Sequence, residues 1–245
     1  MTESMLRIGV LMPEVLGTYG DTGNAMILAE RARRRGIPAE IVEVGLADAI
    51  PDSLDVYTLG GGEDTAQSLA AQKFREDSGL LRALDAGRPL LAICASLQVL
   101  GHWYRDARDV RVDGLGVLDI TTDPQGRRSI GELVSEPLLE GLTEPLTGFE
   151  NHGGGTVLGP EAKPLGRVLA GTGNGVPEGV EPGPVAYDGA VQGSIIATYM
   201  HGPALARNPQ LADLLLARAI GTDLAALAVP GVEELRRERL AHSGR

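Results

Sequence analysis

Residues 88–101 have the sequence RPLLAICASLQVLG, in which an apolar run of strand length ends at Cys94 and small residues then begin a helical pattern. Cys94 is the single cysteine of the chain. A sharp strand-to-helix turn lifts a nucleophile out of a sheet and places its sulfur near the first helical N–H groups, whose dipoles favour the reactive thiolate. The alternative is a buried structural cysteine, because free cysteines are often core residues.

Strand and helix patterns alternate on both sides of this segment. Strand patterns cover residues 6–12, 40–44, 55–59, 89–93 and 194–200. Helical patterns cover residues 22–35, 65–86 with a break near Ser78, 95 to about 103, 209–220 and 232–240. Between residues 114 and 193 the β-like runs are short, at 116–121, 130–134 and 167–169, and residues 171–188 form the most loop-like stretch. The order predicts an α/β protein with a mostly parallel sheet and a β-rich elaboration in its second half.

Composition narrows the possible functions. The 245 residues include 43% hydrophobic ones, enough for a sizeable core in one large domain or two small ones. The net charge of −11 argues against nucleic acid or an anionic membrane as the main partner. One cysteine excludes an internal disulfide and a cysteine-rich zinc site. The N-terminal residues show no signal peptide, and no apolar run reaches membrane-spanning length, so we expect a cytoplasmic protein without a membrane span.

A cysteine nucleophile needs a base, and the chain has four histidines. His201 follows the strongest late strand, and ligands of open parallel sheets bind beyond the carboxyl ends of their strands, so it is the best candidate. His152, predicted to lie in a turn after a short strand, is the second. His102 would lie too far from Cys94 along the same helix, and His242 falls in an apparent tail.

Acyl transfer also needs backbone donors for an oxyanion. Ala95 follows the nucleophile, and Gly61 and Gly62 end a neighbouring strand, where glycine allows a close approach to substrate. The glycines are equally compatible with a tight strand-to-helix turn. Residues 17–24 resemble a phosphate-binding loop only loosely, because their glycine spacing matches neither common fingerprint, and they are interpreted as a turn into the first helix. No ATP site is recognisable.

Together, these segments resemble a known family. The cysteine elbow, the glycine turn at 59–64 and residues 199–203 look like a class I glutamine amidotransferase of the cobyric acid synthase type. More narrowly, residues 17–24 (GTYGDTGN), 61–64 (GGED), 149–154 (FENHGG) and 198–203 (TYMHGP) resemble, in this order, the glutaminase subunits of lipid II isoglutaminyl synthases. The resemblance covers nearly the whole chain and implies a single domain over residues 1–245 with the three-layer fold of class I amidotransferases.

The resemblance implies a function and roles for residues. Cys94 would attack the side-chain amide of glutamine with the help of His201, and Gln98 and Arg128 would bind the substrate. The guanidinium of Arg128 suits the glutamine carboxylate because it is a forked donor. Ammonia would pass to a Mur-ligase-like partner subunit in a heterodimer, and that partner would use ATP to amidate the α-carboxyl of D-glutamate in the lipid II stem peptide. No cofactor and no metal are expected in this chain.

Three departures from the family pattern stand out. The usual G-x-C-x-G-x-Q pattern has Ala92 and Ser96 at its glycine positions. Pro203 occupies the position two residues after the histidine, where a glutamate commonly completes a triad. The third group is therefore missing, supplied from elsewhere in the chain, or lent by the partner, and the last possibility predicts that the isolated chain is a slow glutaminase. Gly155 stands where an arginine is expected. A glutaminase for corrinoid amidation and a non-catalytic binding subunit are the alternative functions.

Overall fold

A computed structural model describes residues 5–243, and the side chains of residues 5–241. Residues 1–4, which belong to the segment in which no signal peptide was recognised, lie outside the described part. The strands are β1 Leu6–Leu11, β2 Ala39–Val44, β3 Val56–Leu59, β4 Leu90–Ile93, β5 Trp103–Arg105, β6 Arg111–Asp113, β7 Ile120–Pro137, β8 Leu146–Leu158, β9 Gly166–Ala170, β10 Tyr187–Asp188, β11 Ala190–Gln192 and β12 Ile195–Thr198. The helices are α1 Gly23–Arg33, α2 Asp64–Glu76, α3 Gly79–Asp85, α4 Ala95–Leu100, α5 Ala204–Arg207, α6 Pro209–Ile220 and α7 Val232–Ser243.

The first sheet has the strand order β11-β12-β4-β3-β1-β2, and its strands are parallel except for β11. Residues of β3, β4 and β12 are buried throughout, as expected for a parallel sheet that is covered on both faces. Because β4 pairs with both β3 and β12, the residues that follow these three strands meet at one edge. The predicted α/β fold with a mostly parallel sheet is confirmed.

The second sheet has the order β10-β9-β7-β5-β6, and β8 also pairs with β7. The antiparallel register of β7 and β8 runs from Ile120 opposite Leu158 to Ser135 opposite Leu146. It is interrupted by a bulge between Pro124 and Ser129. This sheet is the predicted β-rich elaboration, and it is more regular than the sequence indicates, because β7 and β8 are single long strands.

Two local predictions are wrong. Helix α4 ends at Leu100 rather than near residue 103, because the backbone of Gly101 is extended, with φ −71° and ψ −176°, and β5 begins at Trp103. His152 does not lie in a turn but within β8. Glycine at position 154 allows β8 to pass close to Gln98, because a Cβ at this position would lie 2.5 Å from Nε2 of Gln98.

Two further observations concern the rest of the chain. The segment assigned to a tail and containing His242 belongs to α7. Among residues 5–243, no helix combines the length and the apolar character that a membrane crossing requires.

Candidate active site

Cys94 lies at the turn between β4 and α4 in a strained backbone conformation, with φ 51° and ψ −104°. A positive φ is unfavourable for a residue with a Cβ, and such strain is found mainly at functional sites. The amide of Cys94 donates to the carbonyl of Thr198, so the turn is fixed to β12. The predicted strand-to-helix elbow is therefore present, and its side chain, 9% exposed, lines a pocket.

Ser96 accounts for one departure from the family pattern. Its side chain is fully buried, and its hydroxyl donates to the carbonyl oxygen of Gly60 at 2.5 Å. This bond ties the elbow to the glycine turn that follows β3. A glycine at this position could not form it.

His201 follows β12 and approaches the elbow from the adjacent strand. Its backbone forms two hydrogen bonds with Phe149 of β8, N–H to carbonyl in each direction, which hold the residue in place. Its ring is 1% exposed, and Nε2 has no hydrogen-bond partner among the described residues. Nδ1 lies 2.8 Å from Oδ2 of Asp21.

Asp21 is the functional residue that the sequence analysis missed. It lies in the loop between β1 and α1, is 1% exposed, and its Oδ2 also accepts the N–H of Gly61 at 2.8 Å. The loop is held against the glycine turn, because Thr18 donates to the carbonyl of Gly61 and a Cβ at Gly60 would lie 2.2 Å from the carbonyl oxygen of Leu16. The signal available in the sequence was a carboxylate in the loop after β1, which belongs to the same parallel sheet as the strands that precede Cys94 and His201.

Of the three possibilities for the group that orients His201, the position of Asp21 favours one supplied from elsewhere in this chain. A carboxylate of this chain already lies within hydrogen-bond distance of Nδ1 of His201. Pro203 stands two residues after the histidine, where a glutamate commonly completes the triad. A carboxylate at one ring nitrogen fixes the imidazole tautomer and directs the other nitrogen at the nucleophile.

The electrostatics of this group favour a charged imidazole. Burial would lower the pKa of His201, but the hydrogen bonds and negative charges of Asp21 and Cys94 outweigh it and raise the pKa to about 10. Cys94 and His201 line the same pocket, and no hydrogen bond of standard geometry joins their side chains. Nucleophile and base in apo enzymes are commonly separated in this way until substrate binds.

The three expected oxyanion donors are not equivalent. The N–H of Gly61 already donates to Asp21, so the structure assigns it to positioning the carboxylate rather than to binding an oxyanion. A side chain at Gly61 would also place Cβ 2.6 Å from Cε1 of His201. Gly62 and Ala95 both line the pocket, and no acceptor contacts their N–H groups among the described residues.

The pocket beside Cys94 has a volume of about 170 Å³. It brings together residues of seven separate segments, including Arg128 from the bulge of β7 and Gln98 from α4. The amide of Gln98 is fixed from two sides: Oε1 accepts from Gln67 at 2.6 Å, and Nε2 donates to the hydroxyl of Tyr199 at 2.9 Å. Among residues 5–243, no group of three or more histidine, cysteine or acidic side chains has an arrangement that could hold a metal ion.

His152 also reaches this pocket, but both of its ring nitrogens are engaged. Nδ1 lies 3.0 Å from the carbonyl oxygen of Gly154, and Nε2 lies 3.4 Å from Oε2 of Glu150. The ring stacks on Tyr199 with a centroid separation of 3.9 Å. Of the two candidates, His201 alone has a free ring nitrogen and a charge coupling to Cys94, which favours it as the base.

Gly155 is explained by packing. A Cβ at this position would lie 2.4 Å from the nitrogen of Pro177, in the segment between β9 and β10. An arginine here would collide with that segment, so the backbone of this chain excludes the side chain that the family pattern predicts.

The arrangement can support nucleophilic acyl transfer. A strained cysteine, a histidine with a free nitrogen and a buried carboxylate lie in series at one sheet edge, with two unpaired backbone donors and a cationic side chain in the same pocket. These are the parts needed to attack a carbonyl carbon, hold a developing oxyanion and bind a substrate carboxylate.

Comparison with known proteins agrees with this chemistry. The sequence profile of the CobB/CobQ-like glutamine amidotransferase domain matches residues 7–209. The chain is 34% identical over 216 residues to the lipid II isoglutaminyl synthase (glutamine-hydrolyzing) subunit GatD of Staphylococcus aureus, covering 87% of this chain and 84% of that protein. It is 32% identical over 243 residues to the GatD subunit of Streptococcus pneumoniae, covering 96% of this chain and 89% of that protein.

A solved structure supports the fold. A glutamine amidotransferase crystal structure superposes with a TM-score of 0.55 at 20% sequence identity, covering 86% of this chain and 98% of the other.

Proposed function

The chain belongs to the CobB/CobQ-like glutamine amidotransferase family, and we propose that it hydrolyses glutamine to supply ammonia for amidation of the D-glutamate α-carboxyl in the lipid II stem peptide. The observation that carries the chemistry is the Asp21–His201 pair beside the strained Cys94. The names and coverage of the two GatD relatives support the choice of lipid II as the acceptor.

In the first half-reaction, Sγ of Cys94 attacks the side-chain amide carbon of glutamine as a thiolate, its proton having already passed to Nε2 of His201. The tetrahedral oxyanion is held by the N–H groups of Gly62 and Ala95. His201 then gives the proton to the leaving nitrogen, which departs as ammonia and leaves a thioester on Cys94. Asp21 stabilises the imidazolium and keeps its tautomer correct.

In the second half-reaction, a water molecule loses a proton to His201 and attacks the thioester carbon. Collapse of this intermediate breaks the C–S bond and releases glutamate, whose new carboxyl group gives its proton to solvent, while the proton taken from water stays on His201 beside the thiolate of Cys94. Arg128 and Gln98 bind the substrate throughout, Arg128 through the α-carboxylate.

We assign the whole of residues 1–245 to one amidotransferase domain that acts in the cytoplasm. Its partner in a heterodimer is a Mur-ligase-like subunit that activates the acceptor carboxylate with ATP. Because Asp21 supplies the orienting carboxylate, the partner is needed to receive ammonia and to couple the reactions, not to complete the catalytic group.

The test measures glutamate release from glutamine by the wild-type chain and by Cys94→Ser, alone and with the ligase subunit. We expect activity in the wild type, none in the variant, and amidated product only when both subunits, ATP and lipid II are present. Iodoacetamide labelling of Cys94 should be blocked by a glutamine analogue. Undiminished glutamate release from Cys94→Ser would overturn the mechanism, and transfer of ammonia to a corrinoid but not to lipid II would overturn the acceptor.

A further inference from the structure

Among residues 5–241, the guanidinium of Arg128 has one hydrogen-bond partner. It lies in the bulge between β7 and β8, its side chain is exposed, and it lines the pocket beside Cys94. Nε donates to Oδ1 of Asn151 at 2.5 Å, and the described residues offer it no other hydrogen bond and no carboxylate. The terminal Nη groups of the guanidinium are therefore available to a ligand.

Asn151 is fixed in orientation by its two neighbours. A guanidinium has only donors, so the amide oxygen of Asn151 must face Arg128 and the amide nitrogen must face the other way. Nδ2 donates to the hydroxyl oxygen of Tyr19, and the backbone of Asn151 pairs with Ile130 in the β7–β8 ladder.

Tyr19 carries this chain of contacts back to the catalytic group. It lies two residues before Asp21 and has a φ of 59°, in the left-handed region that is unfavourable for a tyrosine. The edge of its ring packs against His201 with a centroid separation of 4.9 Å. One loop thus supplies both the carboxylate that orients His201 and the hydroxyl that holds Asn151.

We infer that Asn151, anchored by Tyr19, is a positioning residue that aims Arg128 at the α-carboxylate of glutamine. The chemistry of the side chain matters, because an amide oxygen can hold the guanidinium without neutralising its charge. A carboxylate at position 151 would form an ion pair with Arg128 and compete with the substrate. The inference deepens the proposed function and rests on it, since it concerns how the same pocket selects an amino acid rather than a simple amide.

The test compares glutamine with 4-aminobutanamide, which is glutamine without its α-carboxylate, in the full-length chain. Asn151→Ala should raise KM for glutamine by about tenfold, the effect of weakening one charge-assisted hydrogen bond, and leave kcat within about twofold. It should leave kcat/KM for 4-aminobutanamide unchanged. Asn151→Asp should raise KM for glutamine more than Asn151→Ala, and Tyr19→Phe should raise it less.

Two controls separate positioning from structure. Ile130 is the ladder partner of Asn151 and is 63% exposed. Ile130→Ala should alter neither kcat nor KM for glutamine. In the Arg128→Ala background, Asn151→Ala should add nothing to KM. An equal effect on both substrates, an effect on kcat alone, or additive effects in the double variant would overturn the inference.

Calorimetric binding of glutamine distinguishes this inference from the proposed function. In the Cys94→Ser background, Asn151→Ala should weaken binding of glutamine by the same factor of about ten. If Asn151→Ala weakens binding of glutamine but the wild-type chain does not hydrolyse glutamine, the inference stands and the glutaminase proposal is refuted. Unchanged affinity, or no binding of glutamine by Cys94→Ser with Asn151 intact, would refute the inference.

Discussion

Oδ2 of Asp21 lies 2.8 Å from Nδ1 of His201, although 180 residues separate the two in sequence. The same oxygen accepts the N–H of Gly61, so one carboxylate links the loop after β1, the glycine turn after β3 and the histidine after β12. Three neighbouring strand ends are thereby fixed relative to one another beside Cys94.

Asp21→Asn should lower kcat for glutamine hydrolysis by about 10²- to 10⁴-fold with little change in KM, because the imidazole loses the charge that stabilises its protonated form. Steady-state glutamate production measures the effect. The matched control is Asp119→Asn, since Asp119 forms an exposed pair with His102 at 2.9 Å and should not affect activity. Recovery of Asp21→Asn by the ligase subunit would show instead that the partner supplies an orienting acid.

His201→Ala should reduce kcat by at least about 10²-fold, the loss typical of a general base. His152→Ala should keep more activity, because its ring nitrogens are already engaged and it acts through its stacking on Tyr199. Circular dichroism of both variants should match that of the wild type, as expected if they fold. A larger loss of kcat in His152→Ala than in His201→Ala would reverse the assignment of the base.

Gly61→Ala should inactivate the enzyme without unfolding it. The new methyl group would lie 2.6 Å from Cε1 of His201, so the ring must leave its position between Asp21 and Cys94. We expect kcat to fall by about 10²-fold or more, as for loss of the base itself. Gly183→Ala is the control, because a Cβ there has no neighbour closer than 3.9 Å. Comparable activities in the two variants would mean that His201 tolerates displacement.

The stability of the fold should fall at alkaline pH because of His201. Its folded-state pKa of about 10 exceeds the usual 6.5, so the contribution of the imidazolium is complete below about pH 6.5 and is lost as the pH rises through about 10. The Tm of the wild type should therefore decrease between pH 7 and pH 10 by more than that of His201→Gln. His102→Gln should follow the wild type. Parallel Tm profiles for wild type and His201→Gln would contradict the raised pKa.

Ser96→Ala should weaken the fold at the elbow. The change removes a buried hydrogen bond and leaves the carbonyl of Gly60 without its side-chain donor, which should cost about 1–3 kcal/mol in the free energy of unfolding. Urea titration measures the loss, and Ser53→Ala, at an exposed position, serves as the control. An unfolding free energy equal to that of the wild type would show that the elbow and the glycine turn hold together without this bond.

The local pattern of apolar and polar residues in the sequence determined the main elements of the fold and the place of the nucleophile. Alternating apolar runs and helical periods predicted the parallel sheet, and the cysteine after a buried run predicted the elbow. Because carboxyl ends of parallel strands meet at one edge, Cys94 and His201 could be brought together without a structure. The grouping of these motifs in one order also indicated the family, which the comparisons confirm.

Only the tertiary structure decided which polar groups form hydrogen bonds with one another. Its place in the loop after β1 did not single out Asp21 as the partner of His201, because their meeting depends on the path of that loop across the glycine turn. The N–H of Gly61 was a reasonable oxyanion donor until the structure placed a carboxylate on it. Periodicity reports which face of an element is buried, whereas hydrogen-bond partners and close backbone approaches depend on contacts between residues far apart in the chain.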